Sequence, residues 1–196
     1  MSVTATPPRW AEALLRAFVK TDDFESVSGD LLEQYRDSVY PSRGQQRANL
    51  WYTMQVFAFV SPGTRVFALL FSAQFLSRTA LDWFMPTPDF HTRAIVSTVL
   101  GVATLLAAGV WASWRLNSIA AGALAGIVTS GLAFLISITG AAALLVMWHD
   151  PQTMAAIRGS GGLEEVFSLP LMLTLPGILL GFVGGAAGTA FKRLLT

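Results

Sequence analysis

The sequence is poor in the residue types on which most enzymes and water-soluble domains depend. It has no cysteine, which excludes a disulfide framework, a thiolate metal site and a cysteine nucleophile. Charged residues make up 13% of the chain, whereas about a quarter is usual in a soluble domain. A charge content this low favours a lipid environment over water.

Nucleotide and nucleic-acid chemistry also lack a basis in the sequence. The two lysines, Lys20 and Lys192, do not end a glycine-rich phosphate-binding motif. A formal net charge of +1, without a run of arginines and aromatics, gives no basic field that would attract nucleic acid. His91 and His149 fall in predicted loops, where solvation is more common than metal binding. We therefore expect no nucleic-acid partner, no metal, no cofactor and no enzymatic activity.

The chain does contain long apolar stretches without charge. Residues 94–114, 117–148 and 166–191 have no Asp, Glu, Lys or Arg. Each stretch is longer than the roughly 18 residues at which a transmembrane helix becomes the expected structure. Residues 66–85 form a fourth apolar segment, which is less uniform because it carries polar side chains. The bilayer is therefore the first predicted partner of this protein.

These segments define the predicted architecture. We expect an all-α protein in which a small cytoplasmic helical domain, residues 1–60, precedes a four-helix transmembrane domain, residues 61–196. The predicted membrane segments are residues 66–85, 94–114, 118–148 and 166–191.

Two of the segments are expected to be irregular. The 31 residues of segment 118–148 would extend over about 46 Å as one helix, which exceeds the roughly 30 Å of the hydrocarbon core. This segment must tilt, project or break, and Gly140 is the expected position of a break. The last segment contains Pro176 and Gly177, which predict a kink. Between these two segments, residues 149–165 are predicted to form a polar loop.

Orientation is predicted from lysine and arginine, which collect on the cytoplasmic side of membrane proteins. With a cytoplasmic N-terminus, ten basic residues fall inside and two outside. The inside set is Arg9, Arg16, Lys20, Arg36, Arg43, Arg47, Arg65, Arg115, Lys192 and Arg193, and the outside set is Arg93 and Arg158. We expect a multi-pass protein of the bacterial inner membrane with both termini in the cytoplasm.

Three helices are predicted in the N-terminal domain from apolar residues at helical spacing. The predicted apolar faces are Trp10, Leu14 and Phe18; Phe24, Val27, Leu31, Tyr35 and Val39; and Leu50, Trp51, Met54 and Phe57. Asp22 and Glu25 have the spacing of a capping box at the start of the second helix. Residues 40–44, "YPSRG", are predicted to be the loop before the third.

The second of these helices is acidic. Residues 22–37 contain six acids and one base, Arg36, and the neighbouring predicted helices are basic. One interpretation is charge complementarity within a three-helix cluster, in which exposed pairs contribute little. The other is that the acidic face binds a protein partner, since anionic lipid headgroups repel it. The candidate partner-binding residues are Asp30, Glu33, Tyr35 and Asp37.

Three short motifs in this domain resemble a known family. "PPRWAEALLRAF", "GDLLEQYRD" and "GQQRANLWYTMQ" follow one another within residues 7–57. They resemble the permease prefix domain at the N-terminus of bacterial MacB-like orphan permeases. The resemblance is carried by Gly29, Asp30, Leu31, Glu33, Tyr35, Trp51, Tyr52 and Gln55. It implies association with an export permease system. Those permeases continue into a long periplasmic domain, which is not expected within these 196 residues.

The first membrane segment carries a polar stripe. Gln74, Arg78 and Asp82 are four residues apart, which places them on one helical face. Ionisable residues within a membrane are costly and often functional. Three interpretations are open: a structural pair with snorkelling of Arg78, a path for a solute or ion, and a partner contact.

Glycines in the last two segments predict close helix packing. Gly122 and Gly126 have the spacing of small residues at a membrane helix interface, and Gly177, Gly181 and Gly185 repeat it. This face fits packing within the chain, a homo-oligomer or docking on a permease.

These features lead to two functional hypotheses. The first is an accessory or regulatory membrane protein that contacts a permease or a regulator through its cytoplasmic helical domain. The alternative is a small solute transporter or oligomeric channel that uses the polar stripe.

Overall fold

The computed structural model describes residues 6–19, 21–87, 90–159 and 162–195. Within these ranges the regular elements are all helical, which confirms the all-α prediction. The chain divides into two compact units, Met1–Pro62 and Gly63–Thr196. The helices are α1 Arg9–Phe18, α2 Thr21–Gln34, a π-helical turn Tyr35–Val39, α3 Tyr40–Phe84, α4 Phe90–Leu116, α5 Ile119–Met147, α6 Pro151–Gly159, α7 Gly162–Met172 and α8 Thr174–Leu195.

The core of the first unit is built from side chains four residues apart on three successive helices. The buried side chains are Ala11 and Leu15 of α1; Leu31, Tyr35 and Val39; and Ala48, Tyr52 and Val56 of α3. The rings of Tyr35 and Tyr52 meet edge to face, with 5.8 Å between centroids. Such an arrangement is the preferred one for aromatic pairs.

The buried faces of α1 and α3 differ from those predicted. Trp10 is 55% exposed, Leu50 61% and Met54 63%. The small side chains Ala11 and Ala48 are fully buried instead, together with the rings of Tyr35 and Tyr52. Since both faces of α3 carry large apolar residues, apolar spacing alone does not identify the buried one.

The predicted loop 40–44 is wrong in extent. The helix continues from the π-helical turn through Tyr40, and Gly44 departs from helical geometry, with φ 73° and ψ 170°. The hydroxyl of Ser42 donates to the carbonyl of Ser38 over 2.6 Å. The predicted capping box involves the side chain of Asp22, which lies outside the described residues.

Among the described residues, three helices are long and apolar enough to cross a membrane. They are His91–Leu116, Ile119–Met147 and Val166–Leu194, and a fourth span results if the bent pair Asp23–Phe59 and Gly63–Phe84 counts as one. This supports a multi-pass membrane protein, as predicted from the charge-free stretches.

The break expected at Gly140 does not occur. α5 is continuous over its 29 residues, and a Cβ added at Gly140 would lie 2.5 Å from Cδ1 of Leu76. Gly140 therefore makes room for a side chain of α3.

The kink of the last segment is displaced from its predicted position. The turn between α7 and α8 lies at Leu173, and Pro176 falls in the first turn of α8, where a missing amide hydrogen leaves no intrahelical bond unmade.

The predicted polar loop 149–165 is mostly helical. Asp150 begins α6 by accepting hydrogen bonds from the amides of Gln152 and Thr153 at 3.0 and 3.1 Å and from the hydroxyl of Thr153 at 2.7 Å. These bonds lower the pKa of the Asp150 carboxyl. Thr153 and Ile157 are buried, so α6 packs through one face.

The core of the second unit draws on four helices. Its buried side chains are Ala68, Phe71, Phe75, Leu105 and Ala133, and Leu180 of α8 packs against them. The hydroxyl of Ser72 donates to the carbonyl of Ala133 over 3.2 Å. This bond joins the Gly63–Phe84 part of α3 to α5.

The connection between α4 and α5 consists of two residues. Asn117 adopts the left-handed conformation with φ 52°, which asparagine tolerates better than most residues. Ser118 caps α5, because its Oγ accepts from the amide of Ala121 at 3.4 Å. The two helices are therefore joined by a tight turn.

Candidate functional site

The polar stripe of α3 meets the first half of α4. Asp82 lies between two arginines: its Oδ2 accepts from Nε of Arg78 at 3.1 Å, and its Oδ1 from Nη1 of Arg93 at 3.3 Å. Asp82 is buried, and the Arg78 side chain is 10% exposed. Two members of the stripe thus belong to a three-residue ionic cluster that joins α3 to α4.

Arg93 also closes the end of α3. Its Nη1 donates to the carbonyls of Leu81 at 3.0 Å and Met85 at 2.9 Å. The carbonyl of Leu81 also accepts from the amide of Met85 at 2.9 Å, and Met85 follows the last residue of α3. A cation near the C-terminal end of a helix is favourable. From the sequence, Arg93 is predicted only as an outside charge. The pairing could have been predicted from Asp82, which is the nearest acid of the first membrane segment and lies 11 residues before Arg93.

The third member of the stripe is bonded separately. The hydroxyl of Ser97 donates to Oε1 of Gln74 over 2.8 Å. Gln74 therefore connects α3 to α4 one turn further into the second unit, and it is not part of the ionic cluster.

A pocket of about 440 Å³ lies beside the cluster, between α3 and α4. It is lined by Gln74, Ser77, Arg78, Leu81, Thr92, Arg93, Val96, Ser97 and Leu100. Both charged residues in the lining are arginines. The pocket therefore combines cationic and hydroxyl groups with an aliphatic wall.

The acids predicted to bind a partner lie on the surface of the first unit. Asp30, Glu33 and Asp37 are exposed, and in the part of the chain that the structure describes none of them pairs with a base. Arg16 of α1, a predicted basic neighbour, lies instead over the ring of Phe24, 4.9 Å from its centroid.

Tyr35, grouped with these acids from the sequence, is not on the surface. It is fully buried, and its hydroxyl donates to Oδ1 of Asn49 over 2.6 Å and accepts from Nε2 of Gln45 over 3.4 Å. A buried ring with satisfied bonds serves the core, so the exposed acidic face reduces to Asp30, Glu33 and Asp37.

Two tyrosines of this core have altered acidity. Burial raises the pKa of Tyr52 to about 12, and the negative charge of Glu12 adds to the effect. Burial, followed by Tyr40, also raises the pKa of Tyr35. In contrast to Tyr35, the buried Tyr52 hydroxyl has no hydrogen-bond partner among the described residues.

The five predicted packing glycines contact one another between α5 and α8. A Cβ added at Gly122 would lie 2.6 Å from Cα of Gly185, and one at Gly126 would lie 2.9 Å from Cα of Gly181 and overlap the carbonyl oxygen of Gly177. A Cβ at Gly109 of α4 would likewise lie 2.9 Å from Cα of Gly181. These glycines therefore pack three helices of one chain together.

Metal binding has no candidate in the described ranges, where no three His, Asp or Glu side chains gather as a ligand set. A scan against protein-family models, a search of curated proteins and a search of solved structures found no match to this chain.

Proposed function

We propose that this protein is an accessory or regulatory membrane protein of an export permease system. Its membrane helices anchor it, and the N-terminal helical unit contacts a permease or a regulator. The orientation that we propose is the one with both termini in the cytoplasm of a bacterial inner membrane, because ten of the thirteen lysines and arginines then lie inside.

The exposed acidic face of the first unit carries this proposal. Asp30, Glu33 and Asp37 project opposite the buried positions Leu31, Tyr35 and Val39, and no base among the described residues neutralises them. A carboxylate cluster near a membrane is repelled by anionic headgroups. A basic surface on a protein partner is therefore its natural complement, and such charge complementarity supports fast and specific association.

Exposed apolar residues of the same unit also support a protein interface. Trp10, Leu50 and Met54 each expose more than half of their surface. Aromatic residues and methionine are enriched at protein interfaces. A unit that exposes both acids and large apolar side chains fits contact with a partner better than complete solvation.

The resemblance to the permease prefix domain agrees with this assignment of roles. Of the eight positions that carry it, Leu31 and Tyr52 lie in the core with Tyr35, whereas Asp30 and Glu33 are exposed. The motif thus combines residues that stabilise the unit with residues available to a partner.

The transporter alternative is less well supported. It assigns Gln74 and Arg78 to a solute path, yet Gln74 is bonded to Ser97 and Arg78 to Asp82. Glycine contacts also bring α4, α5 and α8 together at backbone distance. Both observations favour a structural role for the interior of the second unit.

Purification from gently solubilised membranes tests the proposal. We expect the wild-type chain to retain a transporter or regulatory protein, and the variant Asp30→Asn, Glu33→Gln, Asp37→Asn to lose it. The control is Glu25→Gln, which neutralises an exposed acid of the same helix outside the proposed face. Equal retention by all three proteins, or no partner at any detergent strength, would contradict the proposal.

Measurement of solute flux into liposomes distinguishes the transporter alternative from the proposed function. If the chain were a transporter, flux across reconstituted vesicles would fall when Gln74 and Arg78 are both replaced by leucine. We expect no flux that depends on these residues.

A further inference from the structure

The pocket between α3 and α4 lies beside an ionic cluster with an excess positive charge. One carboxylate, Asp82, faces two guanidinium groups, those of Arg78 and Arg93. Both arginines line the pocket, whereas Asp82 does not. Opposite charges reduce but do not cancel the field of the cluster, so the pocket side is left cationic.

Arg93 has hydrogen-bond donors that are available to a ligand. All of its hydrogen bonds, to Asp82, Leu81 and Met85, use Nη1. Its Nε and Nη2 have no partner among the described residues, and its side chain is 27% exposed. Two adjacent N–H groups of a guanidinium match the geometry of a phosphate or carboxylate.

A hydroxyl group on α3 also lines the pocket. Ser77 lines the same pocket and is exposed, and in the described part of the chain its hydroxyl makes no hydrogen bond. Ser77 and Arg93 therefore present donors to the pocket from two different helices.

The rest of the wall is aliphatic. Leu81, Val96 and Leu100 line the pocket and are each more than 40% exposed. In a membrane helix such residues face acyl chains. An inorganic anion would gain nothing from them, whereas an alkyl chain would bury apolar surface against them.

The pocket lies at the end of the second unit where a bilayer interface is expected. Arg93 bonds to the last carbonyls of α3, and Phe84 packs against Trp148 at the end of α5, with 5.1 Å between ring centroids. Aromatic side chains of this kind collect at headgroup level. Cationic donors therefore lie near the headgroups, and the aliphatic wall extends along the neighbouring helices.

From these observations we propose that the pocket binds an anionic amphiphile. Its phosphate or carboxylate accepts from Arg93 and Ser77 beside the charge of Arg78, and its alkyl chain lies along Leu81, Val96 and Leu100. A volume of about 440 Å³ falls within the range of about 300–1,000 Å³ that is usual for small-ligand sites. The site does not depend on the proposed partner of the first unit.

Binding of short-chain lipids to the full-length protein in uncharged detergent tests this site. We expect dihexanoyl phosphatidylglycerol to bind at least tenfold more tightly than dihexanoyl phosphatidylcholine in native mass spectrometry titrations, because the choline cation opposes the arginines. If decanoate binds as tightly as the phospholipid, the ligand is a fatty-acid anion and the shared chemistry is retained. If inorganic phosphate binds as tightly as either, the alkyl part of the proposal is wrong.

Substitutions that fill the pocket identify the site without touching the ionic cluster. Val96→Trp is expected to weaken phosphatidylglycerol binding at least tenfold, whereas Val99→Trp, at an exposed position of the same helix outside the pocket lining, leaves it unchanged. If Val96→Trp does not fold, Ser77→Trp with Ala73→Trp as its control makes the same test from α3. Unchanged binding by a folded pocket variant, or equal binding of the two phospholipids by the wild type, would overturn the proposal.

Discussion

The carboxylate of Asp82 accepts a hydrogen bond from Nη1 of Arg93 over 3.3 Å, and this bond joins the end of α3 to the start of α4. Asp82 also holds Arg78, one turn earlier on its own helix. A single acid therefore pairs with two arginines.

Asp82→Asn tests how far the second unit depends on this acid. Removing one partner of a buried ion pair leaves the other charge uncompensated and costs about 3–5 kcal/mol, so the unfolding midpoint in mixed detergent micelles is expected to fall sharply. Asp150→Asn is the control, because asparagine also caps a helix well and the change there is expected to stay below about 0.5 kcal/mol. Equal losses for the two variants would show that Asp82 has no special role.

Gly126→Ala is expected to destabilise the packing of α5 on α8. The new methyl would overlap the carbonyl oxygen of Gly177 and lie 2.9 Å from Cα of Gly181, and overpacking of this kind costs about 1–3 kcal/mol. Gly131→Ala, on the same helix, has no atom within 4 Å of the added Cβ. Alanine is the better helix former, so Gly131→Ala should leave the melting temperature unchanged or raise it. A loss of the same size at Gly131 would contradict the packing explanation.

Tyr35→Phe and Tyr52→Phe are expected to differ although both rings are buried. The first removes the bond to Asn49 and should lower the free energy of opening of the first unit by about 1 kcal/mol. The second removes a buried hydroxyl without a partner among the described residues, so stability should be unchanged or increased. Hydrogen exchange of the amides of α1 and α2 in the full-length protein measures both effects. The opposite order would refute the bonding assigned to Tyr35.

High pH should destabilise the first unit. Folding raises the pKa of Tyr52 from 10.0 to about 12, so the folded state favours the protonated phenol. Its contribution to stability is complete below pH 10 and is lost as pH rises toward about 12. All three tyrosines lie in this unit, which allows tyrosinate absorbance to monitor it alone. Tyr52→Phe should remove the latest step of the titration, and an unchanged curve would exclude Tyr52 as its origin.

Gly44→Ala should weaken the first unit through the backbone. With φ 73° and ψ 170°, Gly44 occupies a region that is essentially restricted to glycine, and another residue there costs about 1–3 kcal/mol. Gly29→Ala is the matched control, since it lies within α2 and its added Cβ meets no atom within 4 Å. Proteolytic protection of the first unit should fall for Gly44→Ala and be retained for Gly29→Ala.

The membrane helices could be predicted because a long charge-free stretch shows by its composition that it favours lipid over water. A stretch such as 94–114 has no charge to place in water, so a span is expected whatever its neighbours are. The same reasoning does not predict how individual residues within a helix pack. At Gly140 the sequence suggested a break, and only the position of Leu76 shows why glycine is needed there.

Contacts between elements were the part that the sequence did not disclose. The sequence identifies Arg93 only as an outside charge, because its spacing does not show that Asp82, on another helix, is its partner. The face of α3 that carries Leu50 and Met54 was assigned to the core because it is as apolar as the face that carries Tyr52 and Val56. Burial depends on which residues the neighbouring helices present, and helical spacing contains no information about them.

The two-residue turn at Asn117 and Ser118 has a mechanical consequence. A connection this short restricts the movement of α4 relative to α5. α8 contacts both helices through backbone atoms at the glycines. A conformational change of the second unit is therefore expected to move α4, α5 and α8 together.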